Sequence, residues 1–378
     1  MAGDRPKFVA PRETIITQIS SFQKLLQNGH SLRNCTLQAL DFTPLNLPWE
    51  NFTIDNTLFL GCKMSLEEEL ILRRKGAYIF DAPANLPYDP FRTKLYNWRE
   101  LVKEQDDKSA DLTIYEHFSN KRYNPTINEA LWQRIHDHAM DDALRQLLDF
   151  DENGMTKRRC VAFMGGHSVS RTDPYFRKTV ETAKLLGEHG YFIASGGGPG
   201  IMEAANLGAY LAGYPHKAVD EALTLLSAGP LYTDKLYHAA ALEVLEKFPE
   251  GKANLAIPTW FYGHEPSNLF ASHIAKYFSN SIREDTLLAV ALYGIVYAPG
   301  SAGTTQEIFM DAAQNHYATF NYYSPMIFLG RHRYEVETMI YPLLRQLSYG
   351  KTYHDLLYLT DEPAEVLAFL KDHGPLGT

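Results

Sequence analysis

From residue 160 onward, short apolar runs alternate with longer stretches that carry apolar residues on one helical face. Cys160–Met164 (CVAFM) reads as a buried strand, followed by a helix over 175–190, a strand over 191–194 (YFIA) and a helix over 200–212. The alternation continues with a strand over 253–258, a helix over 267–286, a strand over 294–298, a helix over 304–317 and the strand Met326–Leu329. Parallel neighbours need crossover connections, and right-handed crossovers put the connecting helices on both faces of the sheet. The pattern therefore predicts an α/β fold, a Rossmann-like parallel sheet with helices on both faces, over residues 155–378.

The first 150 residues read as a smaller N-terminal domain of unknown function. Leu32, Leu37, Phe42, Leu47 and Phe52 recur every five residues within 30–62, a period that belongs to neither helix nor strand. It fits a short pentapeptide-like β-solenoid coil, or coincidence within a loop-and-strand segment, and the second is the default because only about one coil's worth is present. The Pro-rich stretch 81–90 (DAPANLPYDP) reads as extended chain or turn. Residues 128–148 carry apolar positions at helical spacing with no Gly or Pro, which predicts an amphipathic helix. The polar stretch 151–159 (DENGMTKRR), with its Asn-Gly turn signal, then reads as a linker.

Composition narrows the function. With 45% apolar and 21% charged residues, the 378-residue chain can bury a sizeable core, and its length suits two domains. A net charge of -9 argues against a surface built to neutralise nucleic-acid phosphates or to sit on anionic lipid. Cys35, Cys62 and Cys160 have no metal-ribbon or disulfide-framework spacing, which fits a reducing cytoplasm. The N-terminus has no apolar signal region, and the longest near-apolar run, 287–298, has 12 residues, short of a membrane span.

The chemistry concentrates in the turns after strands. Ser195, Gly196, Gly197, Gly198, Pro199 and Gly200 link a buried strand to a helix, where free backbone N–H groups and the helix dipole can meet an anion. Residues 298–309 (APGSAGTTQEIF) repeat the arrangement, with Pro299, Gly300, Ser301, Gly303 and Thr304 in the turn and Glu307 beyond it. Two such turns in one parallel sheet can flank the crevice at the carboxyl ends of the strands, and the Thr304 hydroxyl can donate to phosphate. Either cluster alone could be only a tight turn.

The pair GGGPGIMEAAN and PGSAGTTQE resembles the LOG (Lonely Guy) family, whose signature combines GGGxxGxM with PGGxGTxxE. The likeness runs from Val161 to the closing helix near Leu370 and leaves the first 150 residues unexplained. It implies a phosphoribohydrolase that splits a nucleoside 5′-monophosphate such as AMP into base and ribose 5-phosphate, with no metal or organic cofactor. It also implies a homodimer or higher homo-oligomer. Carried over by motif, the catalytic pair is Arg283 and Glu307, and the phosphate turns include Ile201 and Met202. Gly165, Gly166 and Ser168 resemble the turn that approaches ribose or phosphate. Without the likeness, Arg283 reads as a surface ion pair and Glu307 as a helix-start carboxylate. The sequence departs from the pattern at Ser301, Gln306 and Glu284, which bears on which nucleotide is recognised.

Other readings carry less. Glu265 and Asn268 can line the base side of the pocket or cap a loop. His136 and His138 lie beside Asp141 and Asp142, but positions two apart on a helix face different ways, so a solvated face is the default rather than a metal site. Lysine decarboxylation has no support, because no pyridoxal phosphate site is legible. A nucleotide-sensing module with little or no hydrolysis remains the alternative to the enzyme.

Overall fold

The computed structural model describes residues 13–27, 29–105, 108–150 and 156–377, so most of the linker expected over 151–159 lies outside the described residues. Two compact units form, residues 1–95 with 121–147 and residues 96–120 with 148–378. The segment 96–120, which the sequence reading grouped with the N-terminal part, packs within the second unit.

In the first unit, β1 (Thr14–Ile16), β2 (Ser31–Gln38), β3 (Thr53–Leu60) and β4 (Tyr78–Phe80) form a parallel sheet in sequence order. Helix α1 (Ile19–Gln27) joins β1 to β2, and α2 (Leu66–Arg74) joins β3 to β4. A reciprocal capping box between Ser65 and Glu68 starts α2. Partnered residues such as Cys35 and Thr57, or Leu58 and Tyr78, lie 22 and 20 positions apart, so each turn of chain returns after about that length. Leu32, Leu37, Phe42 and Phe52 are all buried along one such turn, while Leu47 is only half-buried. Phe42 packs edge-on to Phe22 at 5.2 Å and to Trp49 at 5.4 Å, which gives this small unit an aromatic core.

The 96–120 segment contributes α3 (Trp98–Val102), two short strands β5 (Glu104–Gln105) and β6 (Lys108–Ser109), and α4 (Ala110–Ser119). Helix α5 (Ile127–Leu148) follows at the place its apolar spacing predicts. On α5, His136 is fully buried beside Asp137, whereas His138 is exposed and lies 3.5 Å from Asp142. The two imidazoles thus point to opposite sides of the helix. No cluster of three or more potential metal ligands occurs among the described residues.

The second unit is built on β7 (Cys160–Met164), α6 (Pro174–Glu188), β8 (Phe192–Ser195) and α7 (Ile201–Tyr210). Next come α8 (Lys217–Leu226), α9 (Tyr237–Lys247), β9 (Leu255–Ala256), β10 (His273–Ile274) and α10 (Asn280–Val290). The chain closes with β11 (Ile295–Tyr297), α11 (Ala302–Tyr317), β12 (Tyr322–Tyr323), β13 (Met326–Leu329), α12 (Ile340–Leu347), β14 (Leu357–Thr360), α13 (Pro363–Asp372) and β15 (Leu376–Gly377). Seven strands form one sheet in the order β10-β9-β8-β7-β11-β13-β14, every neighbouring pair parallel.

All five residues of β7 are buried, as expected of a strand covered on both faces. On one face Val161, Phe163, Ile193, Val296 and Ile327 meet Ala183, Leu186, Val366 and Leu370 from α6 and α13. The sheet is the α/β Rossmann-like fold read from the alternation of runs. One element differs. The helix expected over 267–286 begins only at Asn280, and β10 precedes it. Phe270, Ile274, Tyr277 and Phe278 are buried together, and a segment with apolar residues on every side suits a buried sheet edge better than a helix with one wet face.

Helix α7 is anchored by a buried ion pair. Arg171 donates from Nε to Glu203 at 2.9 Å, from Nη2 to the same carboxylate, and from Nη1 to the carbonyls of Gly229 and Tyr237 at 3.0 and 2.9 Å. Its guanidinium also lies 3.6 Å from the centroid of the Tyr237 ring. Removal of one partner strands the other charge in the interior, so Glu203→Ala is expected to cost about 3–5 kcal/mol in urea unfolding. A loss below about 1 kcal/mol would mean that water reaches Arg171.

Candidate functional site

Strands β7, β8, β9 and β10 run outward in one direction from the sheet centre, and β11, β13 and β14 run outward in the other. The order reverses between β7 and β11. At such a switch point the loops leaving adjacent strands diverge to opposite faces and leave a crevice at the carboxyl ends. The turns after β7 and β11 meet there, where Gly166 N donates to the Pro299 carbonyl at 3.0 Å.

The turn after β8 is braced from below. Ser195 Oγ accepts from Gly197 N at 3.0 Å and donates to Asn206 Oδ1 at 2.6 Å. Asn206 in turn donates to Asn254 and to the Leu255 carbonyl at 2.8 and 2.9 Å, and accepts from Asn268 at 2.7 Å. Every member is buried, so the network fixes the turn, β9 and the loop before β10 as one piece. Gly200 holds φ +66°, and a Cβ there would lie 2.3 Å from the Gly166 carbonyl oxygen, which only glycine avoids.

A cavity of about 140 Å³ opens over these turns. Its wall includes Gly165, Gly166, Gly196, Gly197, Gly198, Met202, Ser301, Gly303 and Thr304, together with Arg283 and Glu307. Ser168 is exposed and outside the wall, and Gly200, Ile201, Pro299 and Gly300 lie behind it as parts of the turns. Gly300 offers its carbonyl to Arg333, and Tyr334 donates to the Ala298 carbonyl at 2.7 Å, so the turn after β11 is held from the π-helical turn His332–Glu337. Glu265 lines the cavity. Asn268 does not, because its amide serves the buried network.

Helices α7 and α11 both begin at this cavity, and neither is capped by a side chain. Their caps, Gly200 and Ser301, leave the first-turn amides without a side-chain acceptor, the arrangement that favours an anion at a helix N-terminus. The nearby carboxylate Glu203 is spent on Arg171 and does not compete.

Arg283 is bound on three sides. Nε donates to the Ile257 carbonyl at 2.7 Å, Nη1 to Glu307 Oε1 at 3.0 Å and Nη2 to the Gly196 carbonyl at 3.4 Å. Its side chain is 9% exposed and that of Glu307 13%, so the pair is nearly dry yet open to the cavity. Burial raises the Glu307 carboxyl above its ordinary range, Arg283 pulls it back, and the charge of Glu284 adds to the rise.

Several wall residues had no signal in the sequence. Lys276 comes from the segment after β10, and Tyr262 from an irregular loop whose path no periodicity fixes. Glu284 and Gln306, two departures from the resembled signature, meet: Gln306 donates to Glu284 Oε2 at 2.9 Å, and Asn280 donates to Oε1 at 2.7 Å. Each had been readable only as a separate oddity.

No family model and no curated protein matches the chain. Among solved structures, it is similar to the molybdenum cofactor binding protein from the phototrophic bacterium Rippkaea orientalis, with 14% identity over 57% of this chain and 97% of that one, at a TM-score of 0.38. The molybdenum cofactor carrier protein from Chlamydomonas reinhardtii gives 16% identity over 57% and 98%, at a TM-score of 0.36. No described helix is long and apolar enough to cross a membrane.

The glycine turns respond to substitution in opposite ways. Gly200→Ala is expected to destabilise by at least about 1–3 kcal/mol, through strain at positive φ and the clash with Gly166. Gly303→Ala meets nothing within 4 Å and is expected to stay within about 0.5 kcal/mol of the parent. Chemical unfolding of both variants checks the contrast.

Proposed function

We propose that the cavity binds a nucleoside 5′-monophosphate and that the chain hydrolyses its N-glycosidic bond to free base and ribose 5-phosphate. The carrying observation is the convergence of two helix starts without side-chain caps and one Arg-paired, nearly dry carboxylate on a single cavity. The phosphate would accept from first-turn amides of α7 after Ile201, whose own N–H donates to the Gly166 carbonyl at 3.1 Å, from those of α11 and from the Thr304 hydroxyl. This anchor directs the ribose toward Glu307.

Departure of the base leaves positive charge on the sugar ring. A carboxylate beside the anomeric carbon stabilises that charge and orients water for attack, as in other glycoside hydrolyses. Water supplies hydroxide to the anomeric carbon and a proton to the base. Arg283 holds Glu307 in position, and its charge opposes the rise that burial causes in the Glu307 carboxyl. The likeness of GGGPGIM and PGSAGTTQE to the LOG signature supports the same assignment, and with it a homodimer or higher homo-oligomer, while the cysteine usage supports a cytoplasmic location. Under this reading no resident metal or organic cofactor is needed.

The second reading is binding without cleavage, as in a nucleotide sensor. The Glu284–Gln306 contact favours it, since two departures from the signature sit beside the reacting carboxylate. One assay separates the two. Incubation with a panel of purine and pyrimidine 5′-monophosphates, read by chromatography, is expected to release base from at least one member. Glu307→Gln is expected to lower kcat by roughly 10²–10⁴-fold while nucleotide still binds. Binding by the wild type with no release from any member would favour the sensor.

The pH dependence follows from the charges. Glu307 acts as the carboxylate, so the rate falls on the acid side as it takes up a proton. The charge of Glu284 raises the Glu307 pKa, so Glu284→Gln lowers it and moves the acid limb of kcat/KM to lower pH. A limb that stays in place or moves up would show that Glu307 is not the titrating group.

A further inference from the structure

A second cavity, of about 420 Å³, lies in the same compact unit and shares Pro266 with the first. Its apolar wall is Trp98, Leu101 and Val102 from α3, Leu242 from α9, and Leu269. His238, His264 and Asp111 supply the principal polar groups. We propose that this cavity is a second small-molecule site, built for a neutral, flat heteroaromatic molecule.

Size and lining fit. Small-molecule sites typically enclose about 300–1,000 Å³ behind mostly apolar walls, with a few polar groups that set orientation. The charge of Asp111 is already used. Its buried carboxylate accepts from Lys276 Nζ at 2.8 Å, from Trp260 Nε1 at 2.8 Å and from Ser267 Oγ at 3.1 Å. A ligand cation would compete with Lys276 for it, and a ligand anion would face a carboxylate with no spare cation in the wall.

The two imidazoles point the same way. Burial lowers both His238 and His264 below the ordinary histidine range, which favours the neutral rings, although His264 Nε2 lies 3.7 Å from Asp111 Oδ2, whose charge opposes the shift. A neutral imidazole keeps one bare ring nitrogen, which can accept the ring N–H of a heteroaromatic ligand such as an indole. Trp98, His238 and His264 also place three aromatic rings in the wall, which suits a flat aromatic ligand.

The place in the fold adds a reason. Along the loop 262–269, Tyr262, Gly263 and Glu265 line the first cavity, whereas His264, Ser267 and Leu269 line the second. One loop is therefore the partition between them. Lys276, in the wall of the first cavity, is held by Asp111, in the wall of the second.

The test uses indole as probe on the full chain, read by calorimetry and ligand-observed NMR, so it needs no turnover and stands apart from the hydrolysis assay. Saturable one-site binding is expected, at least tenfold tighter for indole than for indole-3-carboxylate. Leu242→Trp fills the cavity from a side chain that is 40% exposed, so the fold should persist, and binding should weaken at least tenfold. Glu307→Gln should leave indole binding unchanged. Absence of saturable binding, equal or tighter binding of the carboxylate, or full binding by a folded Leu242→Trp each overturns the proposal.

Discussion

The site depends on one buried cation. Arg283 reaches from α10 to the Ile257 carbonyl just after β9, to the carbonyl of the first glycine after β8 and to the carboxylate on α11. A guanidinium can do this because its donors lie in a rigid plane that serves several acceptors at once, which a lysine ammonium cannot reproduce. Three segments distant in sequence are thereby held against the same side chain. Gly196 has no room for anything larger, since a Cβ there would lie 2.4 Å from Arg283 Nη2.

Around that centre, most buried polar groups have a partner, although Asn280 Oδ1 on α10 does not. Ser195, Asn206, Asn254 and Asn268 satisfy one another and the main chain, and Arg171 satisfies Glu203. Such networks add little net stability but specify one arrangement of the loops, because any other leaves donors or acceptors unmade in a dry interior. The cavity inherits its shape from this rigidity. Glu307 is placed where burial opposes its charge and one arginine opposes that effect.

Much of the fold was legible in the chain. The alternation of CVAFM, YFIA and MIFL with amphipathic stretches named most of the central strands, and the glycines at 196–200 and the turn at 299–304 marked where those strands give way to helices. Short edge strands were not legible. β10 has only His273 and Ile274, too few residues for periodicity to register, and its neighbours read equally well as helix. Glu307 stood out by spacing from a turn, whereas Lys276 and Tyr262 did not, because their place in the wall comes from packing between elements rather than from local pattern.

What the sequence by itself determined was the set of local preferences: which runs are strands, which turns demand glycine, and which residue types stand ready for an anion. These follow from backbone sterics and side-chain period, which act over a few residues. Tertiary structure alone decided that β7 and β11 are neighbours, that Asp111 from the 96–120 segment holds Lys276, and that Glu284 meets Gln306. Those choices minimise unpaired polar groups and exposed apolar surface over the whole unit, a sum that no short window of sequence contains.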